Sequence, residues 1–244
     1  MALIEEFNRS GNWLFKRRGY LPVFILCLAL IYYALKDFSG YHPSPYRDLI
    51  YLGVSLLGLG IRIVTVGQTP RGTSGRNIKR QRAETLNTTG IYSLVRHPLY
   101  LGNLIIWLGV ALFLESLWCL LLFILLFWLY YERIMFAEEV FLREKFGKSF
   151  LDWSTNTPAF FPRFRNWQSS QLDFSWRNVI KQEYHGFINI FISFTFLDLF
   201  RNFFMTEKPY PTLMWIVLTA AAVVIWFIIH ILKKNTKLFN VKGR

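Results

Sequence analysis

The chain is poor in cysteine, in acidic residues and in charge altogether. Its only two cysteines among 244 residues, Cys27 and Cys119, fall inside apolar runs. There they read as buried small hydrophobes, which excludes a disulfide framework and a metal-binding cysteine pair, and no metal site is expected. Charged residues make up 18%, below the usual ~25% of a soluble domain, and they are clustered. Asp and Glu number 15 against 28 Lys and Arg, a formal charge of +13. A nucleic-acid binder would set such a basic excess on a solvated face; here it flanks apolar runs, so nucleic acid is not an expected partner. No small-residue cleavage site follows the first apolar run, and neither end carries a retention or lipidation signal.

Hydrophobic residues, by contrast, reach 53%, with 24 Phe, 12 Tyr and 9 Trp. A soluble domain of this size would struggle to bury so many aromatics, whereas a bilayer accommodates them at its core and its interfaces. The expected fold is all-α, a polytopic transmembrane bundle of about six spans, near 20–35, 48–66, 99–114, 117–146, 186–204 and 213–232. Pro22 suits the start of the first span, and Gly53, Gly58 and Gly60 would let the second approach a neighbour closely. Arg62, near the end of that span, is expected to snorkel to the headgroups or to pair. The segment 68–96 is polar and basic, with Pro70, Gly72 and Gly75, and reads as loop.

The third and fourth spans form a tight hairpin about Glu115-Ser116. The return arm runs on in helical pattern to Phe146, with Gly147 as a stop signal. A helix over 117–146 would be about 45 Å long and would project from the ~30 Å hydrocarbon into water. Residues 153–181 mix Trp153, Trp167 and Trp176 with arginines and read as interfacial. Three units follow: 1–75 with the first two spans, 76–162 with the hairpin, and 163–244 with the interfacial stretch and last two spans. Six spans put both termini on one side. Of the 28 Lys and Arg, only Lys36, Arg47, Arg201 and Lys208 fall on the other side and Arg62 within a span. That asymmetry predicts cytoplasmic termini, in a bacterial cytoplasmic membrane or, alternatively, the endoplasmic reticulum.

Two clusters on the cytoplasmic side carry chemistry. One joins Leu86-Asn87, Gly90 and Tyr92 to Arg96-His97-Pro98-Leu99-Tyr100-Leu101-Gly102; the other holds Glu138-Glu139, Phe146-Gly147 and the stretch from Pro158 to Pro162. The hairpin returns both to one membrane face. Each residue has a plainer reading: Glu138 and Glu139 as solvated charges beside Arg143 and Lys145, His97-Pro98 as a helix start, Tyr92 and Tyr100 as interfacial anchors.

The ordered set Gly-x-Tyr, Arg-His-Pro-x-Tyr-x-Gly, hairpin, Glu-Glu, Phe-Gly and Pro-x-x-x-Pro resembles the isoprenylcysteine carboxyl methyltransferase and phospholipid methyltransferase superfamily. The resemblance covers 76–162 and implies a cytoplasmic S-adenosylmethionine site with a lipid acceptor entering from the bilayer. By matching position it implies cofactor contacts at Thr85, Leu86, Asn87, Tyr92, His97, Pro98, Tyr100 and Glu138. Asn77 and Gln81 fall where the family has a cofactor glutamine. Carboxylates suit the ribose hydroxyls or the ammonium of that cofactor, and aromatic faces suit its sulfonium.

The chain also departs from the pattern. The family's arginine four residues before the glutamate, which meets a substrate carboxylate, is Ile134 here, with Arg133 one residue, about 100° of helix, away. The expected acceptor is therefore a membrane lipid headgroup: a phosphate met by Arg133, Arg163 and Arg165, or an amine whose proton His97 or Glu139 would take. The expected catalytic residues are Arg133, His97 and Glu139, and Glu183-Tyr184-His185 would shape a different lipid pocket. The alternatives are an isoprenylcysteine carboxyl methyltransferase, an NADPH-dependent membrane reductase, or a non-catalytic scaffold. Leu99 and Asn103 stand where such reductases carry Asn and Glu, which favours the transferase.

Overall fold

The computed structural model describes residues 2–70, 81, 83–207, 209–241 and 243. Among the described residues eight α-helices follow in order: α1 Leu3–Arg17, α2 Leu21–Leu35, α3 Pro45–Gly67, α4 Pro98–Leu112, α5 Leu117–Phe146, α6 Lys148–Asn156, α7 Trp176–Thr206 and α8 Leu213–Asn235. Single 3-10 turns lie at Ile91–Ser93 and Phe164–Asn166. Among the described residues there is no strand, only an isolated bridge between Gly90 and Gln168.

Four helices, α3, α5, α7 and α8, are long and apolar enough to cross a membrane, and the protein is an integral membrane protein. The helices α1 and α2 meet at an 80° bend and count together as a fifth candidate span. Two of the six expected spans, α2 and α4, are 15 residues each, roughly 22 Å long and short for the hydrocarbon. The exposed side chains of α8, from Val217 to Ile231, are almost all large hydrophobics, as a lipid-facing helix requires. Exposed Cys27 belongs to the same kind of surface and is not the buried side chain expected from its apolar run.

The sequence did not announce α1. Its bend turns it across the bundle, and it packs along the far end of α5. Gly11 lies against the Arg133 carbonyl with no room for a Cβ, and Tyr130 Oη donates to the Leu14 carbonyl at 3.1 Å. The tightest helix pair is α3 with α4. At Gly58 a Cβ would stand 2.5 Å from Ile106 N and 2.6 Å from the Gly102 carbonyl. Gly53 and Gly60, expected to serve the same purpose, face open space.

The hairpin turn stands as expected. Glu115 takes a positive φ of 49°, and the Ser116 side chain accepts from Cys119 N to cap α5. At the other end Gly147 ends α5 with φ 53°, ψ −122°, a conformation only glycine adopts cheaply. The helix α5 buries Phe123, Phe127, Tyr131 and Ile134 along one stripe, the spacing that puts side chains on one face.

A buried ion cluster ties α3 to α7 and α8. Arg201 donates to Asp48 at 3.0 and 2.8 Å and also binds Asp198, while Trp215 Nε1 reaches Asp48 at 3.4 Å. Arg201, expected among the outer-side surface charges, is 1% exposed. Lys208, Gly72 and Gly75 lie outside the described residues.

Candidate functional site

Backbone hydrogen bonds stitch the two sequence clusters together. Arg96 N donates to Pro158 O at 2.9 Å, His97 N to Ala159 O at 3.2 Å, and Arg163 N to Leu94 O at 3.0 Å. Farther along, Gly90 N donates to Gln168 O at 2.9 Å and the Trp153 indole to the Tyr92 carbonyl at 3.1 Å. The segment before α4 is thus laid against the segment after α6. Gly90 makes the crossing at φ 61°, and a Cβ there would stand 3.0 Å from Gln68 Oε1. Pro98 then opens α4 with His97 as its N-cap residue.

The result is a cavity of about 290 Å³ where α1, α3, α4 and α5 meet the loops. All eight positions expected to contact a cofactor line it: Thr85, Leu86, Asn87, Tyr92, His97, Pro98, Tyr100 and Glu138. Gln81 lines it too, whereas Asn77 lies outside the described residues. Three buried polar atoms of this lining, Gln81 Nε2, Arg96 Nε and Glu138 Oε2, have no hydrogen-bond partner among the described residues, although Arg96 Nε and Glu138 Oε2 lie within ion-pair distance of Glu139 and His97. Unsatisfied buried atoms are rare and costly, so these atoms mark where an added molecule would complete the site. Among the described residues no group of three His, Cys, Asp or Glu gathers to hold a metal ion.

His97 sits between two carboxylates, its Nε2 2.9 Å from Glu139 Oε1 and its Nδ1 3.6 Å from Glu138 Oε2. Arg96 Nε closes on the same Glu139 oxygen at 3.2 Å. Burial alone would depress the imidazole, but the two carboxylates outweigh it and push its pKa up to about 9. His97 is therefore protonated at neutral pH. Burial, with the Glu138 charge added, raises the Tyr92 phenol well above its ordinary value, so it stays neutral. Aromatic rings continue inward: Tyr100 stacks on His97 at 5.6 Å, contacts Tyr131 at 5.0 Å, and Tyr131 stacks on Phe127 at 4.2 Å.

The three residues expected to be catalytic separate. His97 faces the cavity but carries a proton, so it is not a ready base. Glu139 lies behind His97, outside the lining, and orients it. Arg133 points the other way, its Nη1 donating to Ser10 Oγ at 3.2 Å and its guanidinium lying 3.9 Å over the Phe7 ring of α1. The residue in register with the family's arginine, Ile134, is fully buried. Arg163 and Arg165 are exposed and stand clear of the cavity. His185 is exposed, with its Nδ1 accepting from the Trp226 indole at 3.2 Å.

Among the described residues the arginines that line the cavity are Arg18, Arg62 and Arg96. Arg18 comes from the junction of α1 and α2, which also brings Phe15, Gly19 and Pro22. Arg62 pairs rather than snorkels, and its partners Glu183 and Asn103 come from α7 and α4. A charge inside an apolar helix is by default a functional candidate, and that signal was present in the sequence.

Comparison with known proteins agrees with the cavity. The phospholipid methyltransferase family matches residues 49–149. A cobalt-zinc-cadmium resistance protein of Cupriavidus metallidurans is 36% identical over 156 residues, 64% of each chain. A nickel-cobalt-cadmium resistance protein of Alcaligenes xylosoxydans xylosoxydans is 33% identical over 122 residues, 50% of this chain and 57% of the relative. A protein-S-isoprenylcysteine O-methyltransferase of Schizosaccharomyces pombe is 36% identical over 84 residues, 34% of this chain and 36% of the relative. The chain thus spans less than two thirds of the length of these relatives. No solved structure matches it significantly. The matched segment holds α3, the hairpin and most of the cavity lining, and over it the chain is similar to the phospholipid methyltransferase family and to isoprenylcysteine methyltransferases.

Proposed function

We propose that the protein transfers a methyl group from S-adenosylmethionine to a membrane lipid or lipid-linked acceptor. The observation that carries this reading is the convergence of eight motif positions, from Thr85 to Glu138, on one cavity with three buried polar atoms that lack a hydrogen-bond partner among the described residues. Those residue types fit the cofactor. Glu138 and Gln81 offer an acceptor and a donor for its polar groups, main-chain atoms near Leu86 offer an edge for adenine, and Tyr92 and Tyr100 offer faces for a cation. Bound there, the cofactor would supply an already activated methyl group, so that the protein's task is alignment and exclusion of water. Phe15, Pro22, Trp107, Phe141 and Leu142 supply the apolar walls.

The acceptor is a lipid headgroup or, as the isoprenylcysteine methyltransferase relatives suggest, a prenylcysteine carboxylate. The basic asymmetry of the sequence supports a cytoplasmic cavity and cytoplasmic termini. Calorimetric titration of detergent-purified protein with S-adenosylmethionine tests the reading, with NADPH and a Glu138→Ala variant alongside. Micromolar binding of S-adenosylmethionine, weakened at least tenfold in the variant, is the expected result. Folded protein that binds NADPH instead would refute the methyltransferase and favour the reductase.

A further inference from the structure

The inner end of the cavity is closed by a charge network that reaches beyond the matched segment. Arg62 stands on α3 five residues before Gly67, roughly 7.5 Å below the end of that helix at 1.5 Å per residue. Its stem crosses α4 at Gly102, where a Cβ would stand 2.6 Å from Arg62 Cγ. Arg62 Nε and Nη2 donate to the two carboxylate oxygens of Glu183 at 2.8 and 2.9 Å. Nη1 donates to Asn103 Oδ1 at 2.8 Å, and Asn103 Nδ2 donates to Tyr131 Oη at 3.2 Å.

A guanidinium has five N–H bonds. Three are taken here, so one on each terminal nitrogen has no acceptor among the described residues. The Arg62 side chain keeps 21% of its surface exposed, and it lines the cavity. A rigid fork whose position is fixed by a carboxylate and an amide, with donors to spare, matches a planar or tetrahedral oxyanion.

We propose that Arg62, positioned by Glu183 and Asn103, is the acceptor-binding cation of this site, and that the acceptor is an oxyanion, a phosphate or a carboxylate, on an apolar tail. The proposal rests on the methyl-transfer reading above and deepens it. Arg18, Arg62, Arg96 and protonated His97 face the cavity, against Glu138 in the lining and Glu139 and Glu183 behind it. The spare donors of the Arg62 fork attract an anionic headgroup and repel an ammonium. An amine would also have to lose a proton before attack, and His97 already holds one. An oxyanion needs no base: the carbon–sulfur bond to the methyl group breaks with its electron pair left on sulfur, and a carbon–oxygen bond forms from an oxygen lone pair. The sulfonium charge and the oxyanion charge cancel, and no proton moves. Through Glu183, α7, which lies outside residues 49–149, holds the Arg62 head in place from behind the lining.

The test uses the full chain in phosphatidylcholine nanodiscs and three probes: dodecyl phosphate, N-acetyl-S-farnesylcysteine and dodecylamine. Binding is read by thermophoresis for the wild type, Arg62→Lys and the charge-neutral double variant Arg62→Gln with Glu183→Gln. At least one anionic probe should bind the wild type tenfold or more tighter than dodecylamine, and which one binds separates a phosphate from a carboxylate source. The double variant should lose that binding tenfold or more while S-adenosylmethionine affinity stays within threefold, and Arg62→Lys should fall between. Preference for dodecylamine, binding of none of the probes, or anion binding that ignores Arg62 overturns the proposal. Should the double variant fail to fold, unchanged anion binding by Arg62→Lys overturns it alone. S-adenosylmethionine that fails to bind the wild type sinks the cofactor reading instead, and the calorimetric arm keeps the two failures apart.

Discussion

Replacing His97 with glutamine should remove a pH dependence of stability that the wild type carries between pH 6.5 and 9. In the folded protein His97 is held between Glu138 and Glu139 with its pKa up to about 9, against an ordinary 6.5. Because the folded value is the raised one, the stabilisation is fully present below pH 6.5. It is lost progressively as pH climbs through 9, when the folded state also gives up the proton. The difference of about 2.5 units, at 1.36 kcal/mol per unit, comes to about 3 kcal/mol. The group is nearly fully buried, so solvent does little to screen the pair. For a chain of this length that corresponds to a fall in melting temperature on the order of 5–10 °C. Differential scanning fluorimetry in a mild detergent, from pH 6 to 9.5, reads it directly. The wild-type curve should fall across the window, while that of His97→Gln starts lower and stays flatter. Parallel curves for the two proteins, or a wild type that gains stability as pH rises, would refute the pairing.

Two further outcomes follow from the packing. Gly58→Ala puts a Cβ against the Ile106 nitrogen and the Gly102 carbonyl at 2.5 and 2.6 Å. Backbone cannot swing aside, so the variant should lose about 1–3 kcal/mol, seen as a lower melting temperature at unchanged expression. Arg201→Met strands Asp48 and Asp198 in the interior and should cost about 3–5 kcal/mol; adding Asp48→Asn and Asp198→Asn should recover most of it, as measured by detergent thermal melts.

The sequence determined by itself whatever is local. Apolar run length located six helices, α2, α3, α4, α5, α7 and α8, of which four are long and apolar enough to cross a membrane, and Gly147 and Glu115-Ser116 marked where α5 stops and starts, because helix ends are decided by backbone conformation at one or two residues. The family resemblance carried by the motif order implied the eight cavity positions, and the two-residue hairpin turn, which leaves little freedom in where its arms return, made the two clusters neighbours. The helix α1 escaped notice because its apolar face is narrow and it gains stability only by lying on α5, a contact no local pattern displays. The tertiary structure alone decided the partners of the buried charges. Arg62 meets Glu183 across 121 residues and Arg201 meets Asp48 across 153, and nothing nearby in sequence foretells either pair. Arg133, one residue from the family position, turned to α1 because a single helical step of about 100° suffices to leave a cavity. Which cation faces the acceptor is therefore a property of how α3, α4 and α7 pack: Gly102 lets the Arg62 stem cross, and Glu183 and Asn103 hold its head in place.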